Sequence, residues 1–475
     1  MQIPLMIPSA KHPGLAPLSV EAPFEGAPIG EVAVADAATV ETALGTADRL
    51  FRNRDGWLPA YQRIEILERA LAAMTEQADS LALEAAREGG KPLIDSRIEV
   101  ARAIDSFKIC IETLRTEAGP MIPMGVTPSS ANRLAMTRLE PIGPVVAVSA
   151  FNHPLNLIAH QIGPTIASGC PVIVKPADDT PLSCFRLVQI LREAGLPEDW
   201  CQPLVTDTRE TAEKLVTDSR VAFFSFIGSP KVGWMLRSKL APGARCALEH
   251  GGAAPVIVTD NVDLDDVVPP LLKGGFYHAG QVCVSVQRVF AHEAIADELI
   301  ERLAAGASAL KVGDPTDGAT EVGPLIRSAE ANRVESWVDE AGVDPVTGGK
   351  RLSDTLYAPT VLVDPSPDAL VSTKEIFGPV VIVYRYSDFD QAIARANALP
   401  FAFQAAIFTN DLNMATRAAG QLDASAVMIN DHTAFRVDWM PFAGLKQSGL
   451  GVGGIPHSMH DMRTQKMIVI HSKQL

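Results

Sequence analysis

Six cysteines are scattered through the 475 residues with no CxxC pair, so the spacing writes neither a disulfide framework nor a thiolate zinc site. Cys283 stands in Gly280-Gln281-Val282-Cys283, an apolar stretch where a cysteine ordinarily fills space. As a thiolate it would be a strong nucleophile near neutral pH. A thiol that forms and then releases an acyl group needs donors for an oxyanion and a base to activate water. Residues of those types occur upstream. Glu249 sits in Leu248-Glu249-His250-Gly251-Gly252, beside a glycine pair, and Asn152 sits in Phe151-Asn152-His153-Pro154, just past an apolar run. Taken alone, Glu249 also reads as a buried ion-pair partner and Asn152 as a turn cap before Pro154.

The elements that must position these groups are legible in the hydrophobic pattern. Residues 60–88 place Ile64, Leu67, Leu71, Met74, Ala78 and Leu81 on one face, which predicts a single long helix stopped by Gly89-Gly90 and Pro92. From residue 141 short apolar runs alternate with helical stretches: Pro144–Ala150, Pro171–Lys175, a helical Pro181–Ala194, Val221–Phe226 and Ala254–Val258. A second series runs through Val284–Ala291, a helical Ala294–Ala305, Val361, Val380–Tyr384, Ala405–Phe408 and Ala426–Ile429. Such alternation predicts parallel strands joined by crossovers, hence two doubly wound α/β domains meeting near residues 250–283.

Composition narrows the partners. With 41 Lys+Arg against 56 Asp+Glu the net charge is −15, which disfavours nucleic acid and anionic membranes as partners. No apolar run reaches the roughly 18 residues of a spanning helix, and the Met1–Pro8 start does not read as a signal peptide, so a cytoplasmic protein is expected. Three patterns are set aside. Gly449-x-Gly451-x-x-Gly454 has no clear strand before it and too little chain after it, and reads as a Gly-rich turn. His457, His460 and Asp461 lack a third ligand series, so no metal is expected. Asp260, Asp263, Asp265 and Asp266 read as a helix N-terminus.

Further segments accompany the first three: Phe226-Ile227-Gly228-Ser229-Pro230-Lys231-Val232-Gly233, Val174-Lys175-Pro176, Glu375-Ile376-Phe377-Gly378-Pro379, and Pro441-Phe442-Ala443-Gly444-Leu445-Lys446-Gln447-Ser448-Gly449. In their order and spacing the chain strongly resembles the NAD(P)-dependent aldehyde dehydrogenase superfamily over nearly its whole length. The resemblance implies that fold: a Rossmann-like cofactor domain (1–122 and 142–251), an α/β catalytic domain (252–450), and a small β oligomerisation element (123–141 and 451–475) that makes a homodimer or homotetramer. There the strand-like 123–141 and Lys466–Ile470 are expected to pair across subunits. It implies Cys283 as nucleophile, Asn152 and the Cys283 N–H as oxyanion donors, and Glu249 as the base, swung by its flanking glycines. For the cofactor it implies Gly228 and Ser229 at the pyrophosphate, Gly233 for close helix packing, Lys175 at the adenosine ribose, and Gly251, Glu375 and Phe377 near the nicotinamide. Asp178 keeps a carboxylate where many relatives carry the ribose-binding Glu. That disfavours a 2′-phosphate, so NAD is expected, with NADP left open.

The tunnel positions depart from apolar relatives. His153, Asn156 and His160 follow the motif Asn. By analogy Tyr277, His432, Arg436 and, on a helix, Arg102 add polar groups. Buried polar groups need partners, which predicts a small aldehyde that is anionic or hydroxylated. Phe-Asn-His-Pro-Leu-Asn also resembles the lactaldehyde and phosphonoacetaldehyde branch. Gln161 stands where many relatives have Lys, Ile227 replaces a small polar residue, and Ala253 replaces a common Lys. Two alternatives remain open: a CoA-acylating dehydrogenase, which needs no such Glu, and a non-catalytic NAD-binding protein on the same scaffold.

Overall fold

Two six-stranded sheets carry the molecule, described over residues 1–475 by a computed structural model. In the first, β1 (Val145–Val148), β2 (Val172–Lys175), β3 (Cys201–Pro203), β4 (Phe223–Ile227) and β5 (Arg245–Glu249) run parallel in the order β5-β4-β1-β2-β3. Gly449–Leu450 adds an antiparallel edge on β5. The strands read as near-continuous apolar runs because both faces are covered. Val145, Ala147, Val172 and Val174 enter one core cluster, while Val146, Ile173, Phe224 and Leu248 enter another. From β1 the chain winds outward through β2 and β3, then returns to lay β4 and β5 on the other side. The order therefore reverses between β1 and β4, and the loops leaving their carboxyl ends part to leave a crevice.

The second sheet holds β6 (Ala254–Val258), β7 (Val286–His292), β8 (Thr360–Val363), β9 (Val380–Tyr386), β10 (Gln404–Phe408) and β11 (Ala426–Ile429), parallel in the order β8-β9-β7-β6-β10-β11. Val256, Val289 and Val381 lie in the largest core cluster of the molecule, which this sheet organises. The strands expected from the pattern are present, with ends moved by up to two residues. β3 and β5 carried no periodic signal strong enough to be expected.

Two expectations need correction. The helix over 60–88 is two helices, Ala60–Glu76 and Ala78–Gly89, broken at Gln77 (φ −99°, ψ 12°). Ser80 Oγ donates to the Gln77 carbonyl and Arg186 to its side chain, so local bonds hold the bend while Leu67, Met74 and Leu81 all reach one core. The segments expected to pair across subunits also pair with each other inside one chain: Arg133–Pro141 lies antiparallel to Arg463–His471. Two nine-residue extended strands find each other without a second copy, and the tail strand's outer edge stays without a partner. Residues just past 450 do not join that element. The helix Ile455–Asp461 sends Ile455 and Met459 into the core beneath the first sheet. As expected, Asp263 caps a helix (Leu264–Phe276) with Asp265 and Asp266 in its first turn.

Candidate active site

A cavity of about 510 Å³ opens at the reversal between β1 and β4, and both sheets supply its walls. Asn152 and His153 come from the loop after β1, Gly228 and Ser229 from the turn after β4, and Glu249 is the last residue of β5. Gly251 precedes β6, Cys283 precedes β7, and Glu375 and Phe377 precede β9. The carboxyl ends of one sheet thus face the amino ends of the other, which brings together groups distant in sequence.

The loop that delivers Cys283 is strained and pinned. His278 (φ 50°), Ala279 (φ 54°) and Gly280 (φ 69°) are left-handed in succession, a run that persists only where its surroundings over-determine it. Gln281 does so. Its Nε2 donates to the carbonyls of His278 (3.3 Å) and Pro324 (3.2 Å), and its Oε1 accepts from the Ile326 N–H (2.9 Å). Gly280 is required, because a Cβ there would lie 2.1 Å from the Gly378 carbonyl. Asn152 Nδ2 donates to the Gln281 carbonyl at 2.9 Å, which fixes the amide and leaves its second N–H for the cavity.

Burial pushes the Cys283 thiol up to about 12; Arg436 pulls the other way, while Glu375 and Glu249 add to the rise. Burial also raises the Glu249 carboxyl, and Arg436 partly offsets it. Arg436 therefore acts electrostatically on both groups. Its guanidinium carbon lies 3.6 Å from the centroid of Phe442. Gly453 leaves room for Glu249, whose Oε1 would lie 2.2 Å from a Cβ there and would have to move. At Gly251 a Cβ would sit 1.7 Å from Glu375 Oε1, so the Glu375 carboxylate would have to move.

The cofactor side is a cradle of small residues. Ser229 precedes the helix Pro230–Arg237 and its hydroxyl makes no capping bond, which leaves that donor free at the dipole's positive end. Gly233 does not line the cavity. It lets the helix close on His250, whose Cε1 would lie 2.0 Å from a Cβ. Glu375 is half-buried on the cavity wall with Oε1 buried and unpartnered, and burial pushes its carboxyl up to about 8. A carboxylate on the cavity wall with one oxygen unpaired keeps acceptor capacity for a hydroxyl. Lys175 and Asp178 form an ion pair of 2.7 Å outside the main cavity. Asp178 lines an adjoining cleft that shares Asp179 and Arg327 with it.

The substrate side is polar and largely paired internally, with Asn156 Oδ1 and Arg436 Nε left without a hydrogen-bond partner. Arg102, His153, Asn156, Tyr277 and Arg436 line the cavity; His160 and His432 do not. His160 lies behind it, bonding Asp438 at 2.7 Å, and His432 instead accepts the Ala434 N–H. Asp438 also takes Arg102 through two bonds (2.6 and 3.1 Å). Burial would raise the Asp438 carboxyl, but His160 and Arg102 outweigh it and hold it far below the usual range. Behind His153, the fully buried Lys91 contacts both Glu99 and His153 Nδ1. Glu99 Oε1 in turn accepts the N–H groups of Leu155 and Asn156, each at 2.9 Å. Gln161 is structural here, donating to Val148 and Ser225 on adjacent strands.

Sequence reading missed Lys91, Glu99, Gln281, Asp438 and Gly453. Lys91 was visible only as part of a helix-stopping Gly-Gly-Lys-Pro, and Gly453 only inside a discarded glycine pattern. Asp438 is 336 residues from Arg102, and no local spacing announces that pair.

The chain matches the model of the aldehyde dehydrogenase family over residues 11–468. It is 37% identical over 447 residues to the 3-sulfolactaldehyde dehydrogenase of Priestia aryabhattai, covering 94% of this chain and 93% of that protein. It is 38% identical over 420 residues to the lactaldehyde dehydrogenase of Methanocaldococcus jannaschii, covering 87% and 89%. The aldehyde dehydrogenase 21 of Physcomitrella patens, solved with the reaction product succinate, superposes with a TM-score of 0.94 at 35% identity over 99% and 98% of the two chains. The glyceraldehyde-3-phosphate dehydrogenase GapN of Methanocaldococcus jannaschii, solved with NADP, gives a TM-score of 0.91 at 35% identity over 97% and 100%.

Proposed function

The chain belongs to the aldehyde dehydrogenase family, NAD(P)-using oxidoreductases that act on aldehydes, and from that premise we propose that it oxidises a small anionic or hydroxylated aldehyde to its carboxylate. One observation carries the reading: Cys283, Glu249 and Asn152 share a single cavity with Arg102, Arg436 and His153. The Cys283 thiol passes its proton to water, Sγ adds to the aldehyde carbon, the carbonyl π bond breaks, and the oxyanion of the thiohemiacetal takes the free Asn152 N–H and the Cys283 N–H. Bound NAD(P)⁺ supplies the acceptor for the hydride that leaves this carbon, and the two-electron oxidation leaves a thioester. Glu249 then takes a proton from water as the water oxygen attacks, the C–S bond breaks, and the thiol and the carboxylate product separate. The raised Glu249 carboxyl suits a base working near neutral pH.

Ser229 and its helix N-terminus would hold the diphosphate and Glu375 a ribose hydroxyl. NAD is the proposed preference, since Asp178 and Asp179 put carboxylates along the cleft. The polar wall supports the substrate class, in keeping with relatives named for sulfolactaldehyde and lactaldehyde. Glu249 favours hydrolysis over CoA transfer. Self-association is proposed through the tail strand, whose Met467, Ile468, Val469 and Ile470 are exposed along a free edge; light scattering reads the subunit count.

Initial rates by absorbance of reduced nicotinamide test the proposal. The panel is lactaldehyde, sulfolactaldehyde, succinic semialdehyde, propanal, nonanal and benzaldehyde, with NAD or NADP, with and without CoA. Faster turnover of nonanal and benzaldehyde than of every polar aldehyde would refute the substrate class. An acyl-CoA product would refute hydrolysis. Full activity after Cys283→Ala would refute the chemistry.

A further inference from the structure

The donor-only member of a buried hydrogen-bond chain fixes the direction of every bond in it. Lys91 is fully buried, and its ammonium is held by Glu99, whose other oxygen caps two backbone N–H groups. Burial lowers the Lys91 pKa, and Glu99 and Asp95 offset that. An ammonium has three donors and no acceptor. Its contact with His153 Nδ1 therefore requires Nδ1 to carry a lone pair, which puts the ring proton on Nε2. Nε2 faces Tyr277 Oη at 3.4 Å, and both side chains line the cavity. If His153 Nε2–H donates to the phenol oxygen, the phenol proton is left to point onward.

We propose that Lys91 polarises a one-way donor chain, Lys91 to His153 to Tyr277, so that the substrate cavity is offered an O–H and N–H donor pair selecting aldehydes with an acceptor oxygen beyond the reacting carbon. Lys91 is then a positioning residue for specificity. It touches no substrate and sits 62 residues from the histidine it orients. Burial and the neighbouring Lys91 and His278 keep the His153 ring neutral, so it serves as a donor of fixed polarity and not as a titrating cation. Arg102 supplies charge on the same wall. The Lys91 chain supplies direction.

The inference rests on the proposed substrate class, and the two fail separately. Nitrogen-15 NMR of the full-length protein labelled at histidine reads the tautomer without any turnover, with the His153 signals assigned by their loss in His153→Gln. A pyridine-type Nδ1 and a protonated Nε2 at pH 7.5 are expected. A protonated Nδ1, or a doubly protonated ring, overturns the proposal. In Lys91→Met/Glu99→Gln, which removes both buried charges and keeps the cap on the Leu155 and Asn156 N–H groups, the single tautomer should give way to a mixture; an unchanged signature overturns the role of Lys91. Tyr277→Phe should lower the discrimination between lactaldehyde and propanal, read as the ratio of kcat/KM, by about tenfold. An unchanged ratio overturns the assignment of the phenol as terminal donor. A wild type that prefers propanal to lactaldehyde refutes the substrate class before any variant is compared, and leaves the tautomer result standing on its own.

Discussion

The two halves of the cavity are built on opposite principles. The cofactor half is made of absences: Gly228, Gly251 and the hidden Gly233 remove side chains so that backbone and carboxylate can come close, and the polar groups that remain, Ser229 and Glu375 Oε1, are left without partners. The substrate half is crowded with charge that is already paired. Asp438 holds Arg102 and His160, and Glu99 holds Lys91. An open cradle waits for a ligand to complete its hydrogen bonds. A paired wall is preorganised, so a ligand meets groups whose direction and charge are already set.

The largest expected effect falls where the halves meet. Cys283→Ala should lower kcat on the order of 10⁴-fold or more, and mass spectrometry of a turnover mixture should lose any acyl adduct. Asn152→Ala removes one oxyanion donor and should cost roughly 10²–10³ in kcat, with cofactor affinity little moved.

Next comes the paired wall itself. Asp438→Ala leaves the Arg102 guanidinium without its carboxylate and the neutral, buried His160 without its hydrogen-bond partner, and should cost roughly 3–5 kcal/mol of stability by calorimetry. The sign in pH follows from the depressed carboxyl. Its stabilisation is fully present above the ordinary aspartate range and is lost only as pH falls through the lowered folded value. The gap between wild type and variant should therefore stay flat from pH 5 to 8. A gap that shrinks within that range would mean the carboxylate is not held as the geometry implies.

A smaller effect concerns the nucleophile's proton. With the Cys283 thiol pushed up to about 12, alkylation by iodoacetamide should climb about tenfold per pH unit from pH 7 to 10 with no plateau. Arg436→Met removes a cation that lowers the thiol, so the variant should alkylate more slowly at every pH in that range. A plateau near pH 8 in the wild type would sharpen the comparison by moving the activating group elsewhere.

The smallest effect lies at the mouth of the cofactor half. Asp178 is 58% exposed in its side chain and paired with Lys175. Asp178→Ala should shift the NADP-to-NAD ratio of kcat/KM by only about two- to fivefold. A shift of a hundredfold would place that carboxylate much nearer the ribose than its exposure suggests.

Local spacing was enough for the cofactor half. Phe-Ile-Gly-Ser-Pro at a strand end, Glu-His-Gly-Gly and Glu-Ile-Phe-Gly-Pro each place their cavity-lining residues within a few positions, because a turn and a helix N-terminus are local objects. The alternating apolar runs likewise announced most strands of both sheets, since burial on two faces leaves a continuous hydrophobic signature. The break at Gln77 was not announced, because amphipathic periodicity continues through a bend when both limbs face one core.

The chain by itself determined an α/β scaffold with glycine-lined approaches, since residue type and short-range periodicity encode those. Tertiary structure alone decided that Asp438 would neutralise Arg102, that Lys91 would stand behind His153, and that Gly453 would make room for Glu249. Those pairings join residues up to 336 positions apart. Their partners are chosen by which strand ends the sheet order brings to one crevice, and a buried charge takes the partner that geometry leaves within reach.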